Sequence, residues 1–229
     1  MTVILTDTEE AMLAGNHGSA MATSMRLVSE SARLLGAHQL VSVASSHIDG
    51  CLYHGDSGTL FAEQLVSQGA GVSVPTTLNV GALDLLRPAH VRMQEPSRSM
   101  ALRLMRAFEA MGCKQTWTCA PYQAGHRPRT GSDVAWGESN AVAFCNSVLG
   151  ARTNRYGDFL DIACAITGRA PAYGLHLPEN RIAQMVVHTD ALSAVLKNCD
   201  AFWPVLGAWL GQHAGNAVAL ITGLEGSAT

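Results

Sequence analysis

Charge is scarce in this chain. Only 14% of its 229 residues are Asp, Glu, Lys or Arg and 6% are aromatic, whereas 48% are hydrophobic. A disordered, solvated chain needs the opposite balance, so the composition points to a folded core. So few charges also imply that a second subunit or domain covers part of the surface. The net charge of −3 gives no excess of positive charge to attract nucleic acid or an anionic membrane. No apolar run reaches the ~20 residues that span a bilayer. The opening Met1-Thr2-Val3-Ile4-Leu5-Thr6-Asp7 has neither the basic start nor the apolar centre of a signal peptide. The six cysteines are irregularly spaced, unlike a disulfide framework or a zinc ribbon, and are expected as reduced thiols, mostly in the core, of a cytoplasmic protein. Internal repeats, low-complexity tracts, a glycine-rich phosphate cradle and a dedicated Lys–Arg cluster are also missing.

What is present is an alternation of helical and strand patterns. Thr6-Asp7-Thr8-Glu9 predicts a capping box, with Gly15 ending the helix it opens. Apolar residues at helical spacing predict a helix from Ser19 to Leu35, and further helices are expected over 60–66, 100–111, 140–149, 159–166, 191–196 and 202–210. Strands are expected over 40–44, 72–74 and 217–221. Strands alternating with helices predict an α/β fold, mostly parallel sheet units flanked by helices.

Polar residues concentrate in a few places. The first expected strand runs into Ser45-Ser46-His47-Ile48-Asp49-Gly50 and the second into Pro75-Thr76-Thr77-Leu78-Asn79. Ligands of open α/β sheets bind where the loops after the strands converge, so His47, Asp49, Thr76, Thr77 and Asn79 are candidate site residues. Asx and Ser/Thr turns that satisfy their own backbone would use the same residue types. The densest polar run lies between Thr116 and Asp158. It holds Thr116-Trp117-Thr118-Cys119-Ala120-Pro121-Tyr122, then Trp136-Gly137-Glu138-Ser139-Asn140-Ala141, then Asn146-Ser147-Val148-Leu149-Gly150-Ala151-Arg152-Thr153-Asn154-Arg155-Tyr156-Gly157-Asp158. Burying such groups costs free energy unless each finds a partner, so a cluster of them usually lines a polar site. Cys119 stands in the longest irregular segment, 119–134, where a thiolate can face a cavity. Arg152, Arg155 and Arg181 can grip a carboxylate bidentately, or pair structurally with Asp158, Asp161 or Glu138.

These words resemble one family, the aconitase X dehydratases. Gly15-Asn16-His17-Gly18, Gly174-Leu175-His176 and Glu179-Asn180-Arg181 extend the resemblance over nearly the whole chain. It implies an aconitase-like α/β fold in which residues 1–229 form the N-terminal portion of the large catalytic domain, truncated and without the small swivelling domain. It implies a hydro-lyase acting on a small hydroxy acid, cis-3-hydroxy-L-proline first, with phosphomevalonate as the alternative substrate. It implies an iron–sulfur cluster or mononuclear iron with Cys119 as a ligand. His47, Asp49, Thr76, Thr77 and Asn79 would line the substrate pocket, with Glu138, Ser139, Asn140 and Arg152 supporting cluster and substrate. The family's other two cysteine ligands lie further along than this sequence reaches. Its catalytic base is expected on a small swivelling subunit or a missing C-terminal part. A non-catalytic binding or assembly subunit is the reading of another class.

Overall fold

The N-terminal capping box forms as its spacing dictates. In the computed structural model, which describes residues 2–224, Thr6 Oγ1 accepts from the Glu9 amide (3.4 Å) and Glu9 Oε2 accepts from the Thr6 amide (2.9 Å). The chain divides into two units, one ending at His176 and one beginning at Leu177.

The first unit runs α1 (Asp7–Leu13), α2 (Ser19–Leu34), β1 (Leu40–Ser42), β2 (Ser46–Ile48), α3 (Asp56–Ser67), β3 (Thr76–Leu78), α4 (Ser97–Ala110), β4 (Ala135–Trp136), α5 (Ser139–Phe144), a π turn (Cys145–Leu149), α6 (Leu160–Thr167) and β5 (Arg169–Pro171). Its centre is a parallel sheet in the order β3-β2-β4, with His47 level with Thr77 and Trp136. Single parallel bridges from Lys114 to Thr77 and from Arg155 to Trp136 widen it at both edges. β1 and β5 pair separately and antiparallel, and Glu9 joins them by accepting from Arg169 Nε at 2.7 Å.

The central strands are buried on both faces, as parallel strands flanked by helices are. Leu65 of α3, Leu104 and Phe108 of α4, and Ile162 and Ile166 of α6 close one core around Ile48 and Leu78. Each fully buried Leu or Ile contributes about 1.5–3 kcal/mol relative to solvent exposure. α2 packs against α6 on the other side, where Val28, Ala163 and Cys164 share a second cluster.

Two strands lie elsewhere than expected. The first expected strand breaks after Ser42, and the central strand is the polar word Ser46-His47-Ile48 itself. No strand forms over 72–74; its place is taken by Thr76-Thr77-Leu78. Polarity suggested loops, yet each polar side chain inside these strands makes a hydrogen bond, His47 through Nδ1 while its Nε2 stays unpaired. Ser46 Oγ donates to the Ala135 carbonyl (2.7 Å), Thr76 Oγ1 to the Val74 carbonyl (2.8 Å), and His47 Nδ1 meets Thr77 Oγ1 (2.8 Å). Once hydrogen-bonded, such groups sit in a buried strand without the desolvation penalty that makes them rare there. The helices fall close to expectation, and Gly150 and Gly168 end theirs in the left-handed conformation.

The second unit contains β6 (Met185–His188), α7 (Ala194–Lys197), α8 (Phe202–His213) and β7 (Ala219–Thr222). β6 and β7 pair in parallel, joined by the helical crossover that parallel pairing requires. α8 buries none of its residues. No helix among the described residues is long and apolar enough to cross a membrane.

Candidate functional site

Because β2, β3 and β4 run parallel, their carboxyl ends open on one edge, and the residues that follow them meet there. Asp49 follows β2, Asn79 follows β3, and Glu138 stands two residues beyond β4. The Asn79 amide bridges the two carboxylates, Nδ2 donating to Asp49 Oδ1 (2.5 Å) and to Glu138 Oε2 (2.8 Å). Asn79 is 1% exposed, and its Oδ1 has no hydrogen-bond partner in the protein.

Four devices hold this arrangement. Asp161, at the start of α6 and wholly buried, accepts from the backbone amides of Asp49 (2.8 Å) and Gly50 (2.9 Å). Gly137 passes so close to β2 that a Cβ there would lie 2.6 Å from Asp49 Cβ and 2.8 Å from the Tyr156 carbonyl oxygen. Thr116 Oγ1 donates to the Leu78 carbonyl (2.7 Å) and pins the end of β3. Glu138 caps α5, accepting from the Ser139 hydroxyl (3.0 Å) and the Asn140 amide (3.3 Å).

Asn140 ties Cys119 to the same corner. Its Nδ2 donates to the Cys119 carbonyl (2.8 Å), while Tyr122 donates its hydroxyl to Asn140 Oδ1 (3.1 Å). The Cys119 thiol is exposed. Cys51, Cys113, Cys145 and Cys164 are buried, as core thiols are expected to be.

The two carboxylates are set apart in proton affinity. Burial raises the pKa of Asp49 above the ordinary aspartate value; the Asn79 hydrogen bond opposes this, and the Glu138 charge adds to it. Burial also acts to raise Glu138, but hydrogen bonds from Asn79, Ser139 and Asn140 together outweigh it and hold Glu138 below its ordinary value. Of the two, Asp49 therefore takes up a proton more readily than Glu138.

The other candidates separate into layers. His47, Thr76 and Thr77 do not stand in loops; they lie inside β2 and β3 beneath the acidic pair. His47 is fully buried, and burial first, then the nearby His126, lowers its pKa to about 4, so its ring is neutral at pH 7. Ser139 and Asn140 are exposed at the rim. Arg152 pairs with none of Asp158, Asp161 or Glu138: its guanidinium grips Asp133 bidentately (2.6 and 3.0 Å), and Asp133 in turn meets His176 Nδ1 (2.8 Å). The sequence gives little sign of Asp161 or Thr116 as supports, because their partners lie far along the chain, 112 residues away for Asp161 and 38 for Thr116. Gly137 is equally hidden, since its role depends on a close approach to β2. One carboxylate inside the otherwise apolar α6 was the available clue.

Whether these residues suit a metal can be judged from the donor set. Cys119 offers one exposed thiol, yet among the described residues no three His, Cys, Asp or Glu side chains converge as metal ligands. The described residues therefore do not make a complete iron site.

Fold and site define an α/β protein with a polar cluster beyond the carboxyl ends of its parallel strands, the edge at which open α/β sheets bind ligands. The family model for the aconitase X first domain matches residues 2–179. The chain belongs to the aconitase X family. It is 44% identical over 217 residues to a protein of Pseudomonas aeruginosa named cis-3-hydroxy-L-proline dehydratase, covering 95% of this chain and 37% of that protein. It is 39% identical over 222 residues to the phosphomevalonate dehydratase large subunit of Methanothermobacter thermautotrophicus, covering 96% of this chain and 54% of that subunit. The crystal structure of Thermococcus kodakaraensis aconitase X in its holo-form superposes with a TM-score of 0.81 at 35% identity, covering 96% of this chain and 54% of that one. The chain thus spans between about a third and half of the length of these relatives.

Proposed function

We propose that this chain is the site-bearing part of a hydro-lyase that removes water from a small hydroxy acid, with cis-3-hydroxy-L-proline going to pyrroline-2-carboxylate as the first choice. The observation that carries the proposal is the convergence of Asp49, Asn79 and Glu138 at the strand ends. Dehydrating a β-hydroxy acid requires a base for a weakly acidic α-proton and an acid for a poor leaving group. Asp49, with its raised proton affinity, is the better suited of the two carboxyls to the role of the acid that protonates the departing hydroxide. Glu138 stays ionised and fixes Asn79, and through Asn79 the Asp49 carboxyl. Holding the donor in place lets the substrate meet a fixed geometry rather than a mobile side chain. His47, Thr76 and Thr77 form the floor beneath these groups, and Ser139 and Asn140 the rim. Arg152 braces the structure through Asp133 rather than reaching for substrate.

An iron–sulfur cluster or mononuclear iron, with Cys119 as one ligand, belongs to this proposal and would act as Lewis acid on the hydroxyl. The remaining ligands and the base then come from outside the described residues, on a small swivelling subunit or a further segment, in a cytoplasmic assembly. Phosphomevalonate is the second substrate, supported by relatives at 39% identity against 44% and 40% for the proteins named hydroxyproline dehydratases. A non-catalytic subunit is favoured by one observation, the lack of a converging ligand set among the described residues.

Iron and acid-labile sulfide per chain, measured after anaerobic reconstitution with the C-terminal segment of the Pseudomonas relative supplied in trans, separate these readings. Stoichiometric iron, lost in Cys119→Ala, with dehydration of cis-3-hydroxy-L-proline is the expected result. Iron retained by Cys119→Ala would sink the ligand assignment, and no iron in any mixture would favour the non-catalytic subunit.

A further inference from the structure

The second unit presents a surface that the dehydratase proposal leaves unused. β6 pairs with β7 and with no other strand among the described residues, so its outer edge is open. A groove follows that edge. One wall takes four consecutive residues, Val186 to Thr189, and β7 contributes none. Successive side chains of a strand point to opposite faces, so a wall of consecutive residues is a strand edge and not a sheet face. The facing wall is α8, through Phe202, Val205 and Trp209.

The chemistry of this surface is apolar throughout. Ala201 to Thr222 contains no Asp, Glu, Lys or Arg. At about 3.6 residues per turn, the large side chains of α8 occupy one half of the helix and Pro204, Gly207, Ala208 and Gly211 the other. A helix without a charged side belongs in an interior, yet none of its residues is buried. On the sheet, Val186 and its register partner Leu220 are each 51% exposed. Two strands alone are marginal in water. An open edge offers N–H and C=O groups to another strand, and the apolar groove beside it selects apolar side chains on that strand.

The comparisons narrow the occupant. The first-domain model stops at residue 179, three residues into the second unit. The matches to the Pseudomonas and Methanothermobacter relatives cover 95% and 96% of this chain, so they take in most of that unit. They leave most of the first relative and nearly half of the second outside the match. The Thermococcus chain, of which this one covers 54%, superposes over the same span. The second unit thus lies beyond the first domain and recurs in chains that carry much more polypeptide.

We infer that the outer edge of the second unit is a docking surface for the polypeptide that follows this region in the relatives, which adds a strand beside β6 and lays an apolar surface over α8. The inference rests on the geometry of this unit and on family membership. It is independent of the dehydratase proposal, because its test uses neither iron nor substrate.

The test mixes the whole 229-residue chain with the part of the Pseudomonas relative that follows its match, in the presence of a metal chelator. Sedimentation is expected to show a one-to-one complex with a Kd of about 1 μM or tighter. Hydrogen exchange is expected to slow most over 185–189 and 202–210, where amides gain partners or cover. Leu196→Asp/Val205→Asp, at positions 55% and 66% exposed, is expected to weaken the complex at least about tenfold. Leu60→Asp, 56% exposed on α3, leaves it unchanged. Joining the two polypeptides in one chain makes docking intramolecular, and the same two segments are expected to be protected there. Protection confined to the first unit, or a double variant that binds as the parent does, overturns the proposal. So does a chain that dimerises through 185–210 and keeps the added polypeptide off, which would make a second copy the occupant. No complex in the mixture, with both segments unprotected in the joined chain, overturns it as well.

Discussion

The two units of this chain are comparably apolar in sequence and opposite in what they do with it. Every buried hydrophobic residue described lies between Ala20 and Ala172, inside the first unit. In the second unit, Val195 is 81% exposed, Val205 66% and Leu196 55%, and Trp203 and Trp209 also face solvent. Thr189 is its one buried residue among those described. An apolar cavity of about 670 Å³ runs along α8, bordered by Val186, Leu196, Phe202 and Trp209. Secondary structure alone therefore does not make a core. Helices and strands become stable where their apolar faces meet, and the first unit has helices on its sheet while the second has two strands and little to lay over them.

Core truncation should expose this difference most strongly. Leu65→Ala, at a site with no exposure, is expected to cost about 3 kcal/mol, whereas Trp209→Ala, already 40% exposed, should cost less than about 1 kcal/mol. Denaturant unfolding of both variants checks this, and an equal loss in the two would mean that the second unit has a core of its own.

Glycines sharpen the contrast on a smaller scale. Gly137→Ala places a Cβ 2.6 Å from Asp49 Cβ and against backbone, and should cost about 1–3 kcal/mol while disturbing the acidic pair. Gly207→Ala, on α8 with nothing within 4 Å of the added atom, should be neutral or stabilise by up to about 1 kcal/mol through helix propensity alone. Thermal midpoints would reveal whether the signs differ as expected.

The third difference is electrostatic and belongs to the interior of the first unit. His47 and His126 are lowered from 6.5 to about 4, chiefly by burial, so on unfolding between these pH values each takes up a proton. Asp161 is raised from 3.8 to about 7, again chiefly by burial, so on unfolding in the same window it releases one. For these three groups, two protons gained less one lost leaves the unfolded state with one more, and the release from Asp49, whose affinity is also raised, reduces that difference toward the acid end. Stability should therefore fall as pH drops below about 6.5, by at most about 1.4 kcal/mol per pH unit. His126→Gln removes one of the gained protons and should flatten that slope. Denaturant midpoints taken across the window would refute this balance if the parent and the variant kept the same slope.

How much of the fold and site is legible in the sequence varies by element. The capping box at Thr6, the helix ends at Gly150 and Gly168, and the α/β alternation are all readable, because each rests on a local pattern and on neighbours within a few residues. The strands at 46–48 and 76–78 lie a few residues from where hydrophobicity puts them. Ser46, His47 and Thr77 are polar, and only their distant partners make a buried strand tolerable, whereas Thr76 is satisfied locally by the Val74 carbonyl. Asp49, Asn79 and Glu138 can be singled out by residue type and position after strands. Their contact across 30 and 59 residues cannot. Arg152 is legible as a carboxylate-gripping residue, but its partner Asp133 is not, since the pairing depends on the parallel bridge that sets the two side by side.

By itself the sequence determined which residues carry chemistry, which segments are helical and which family the words of this chain resemble, since composition, caps and motif spacing are properties of the chain alone. Only the tertiary structure decided that three parallel strands deliver Asp49, Asn79 and Glu138 to one edge, that burial and hydrogen bonding drive the proton affinities of the two carboxyls apart, and that α8 stays uncovered in the second unit. Long-range proximity sets local field, desolvation and partner choice, and no short stretch of sequence contains it.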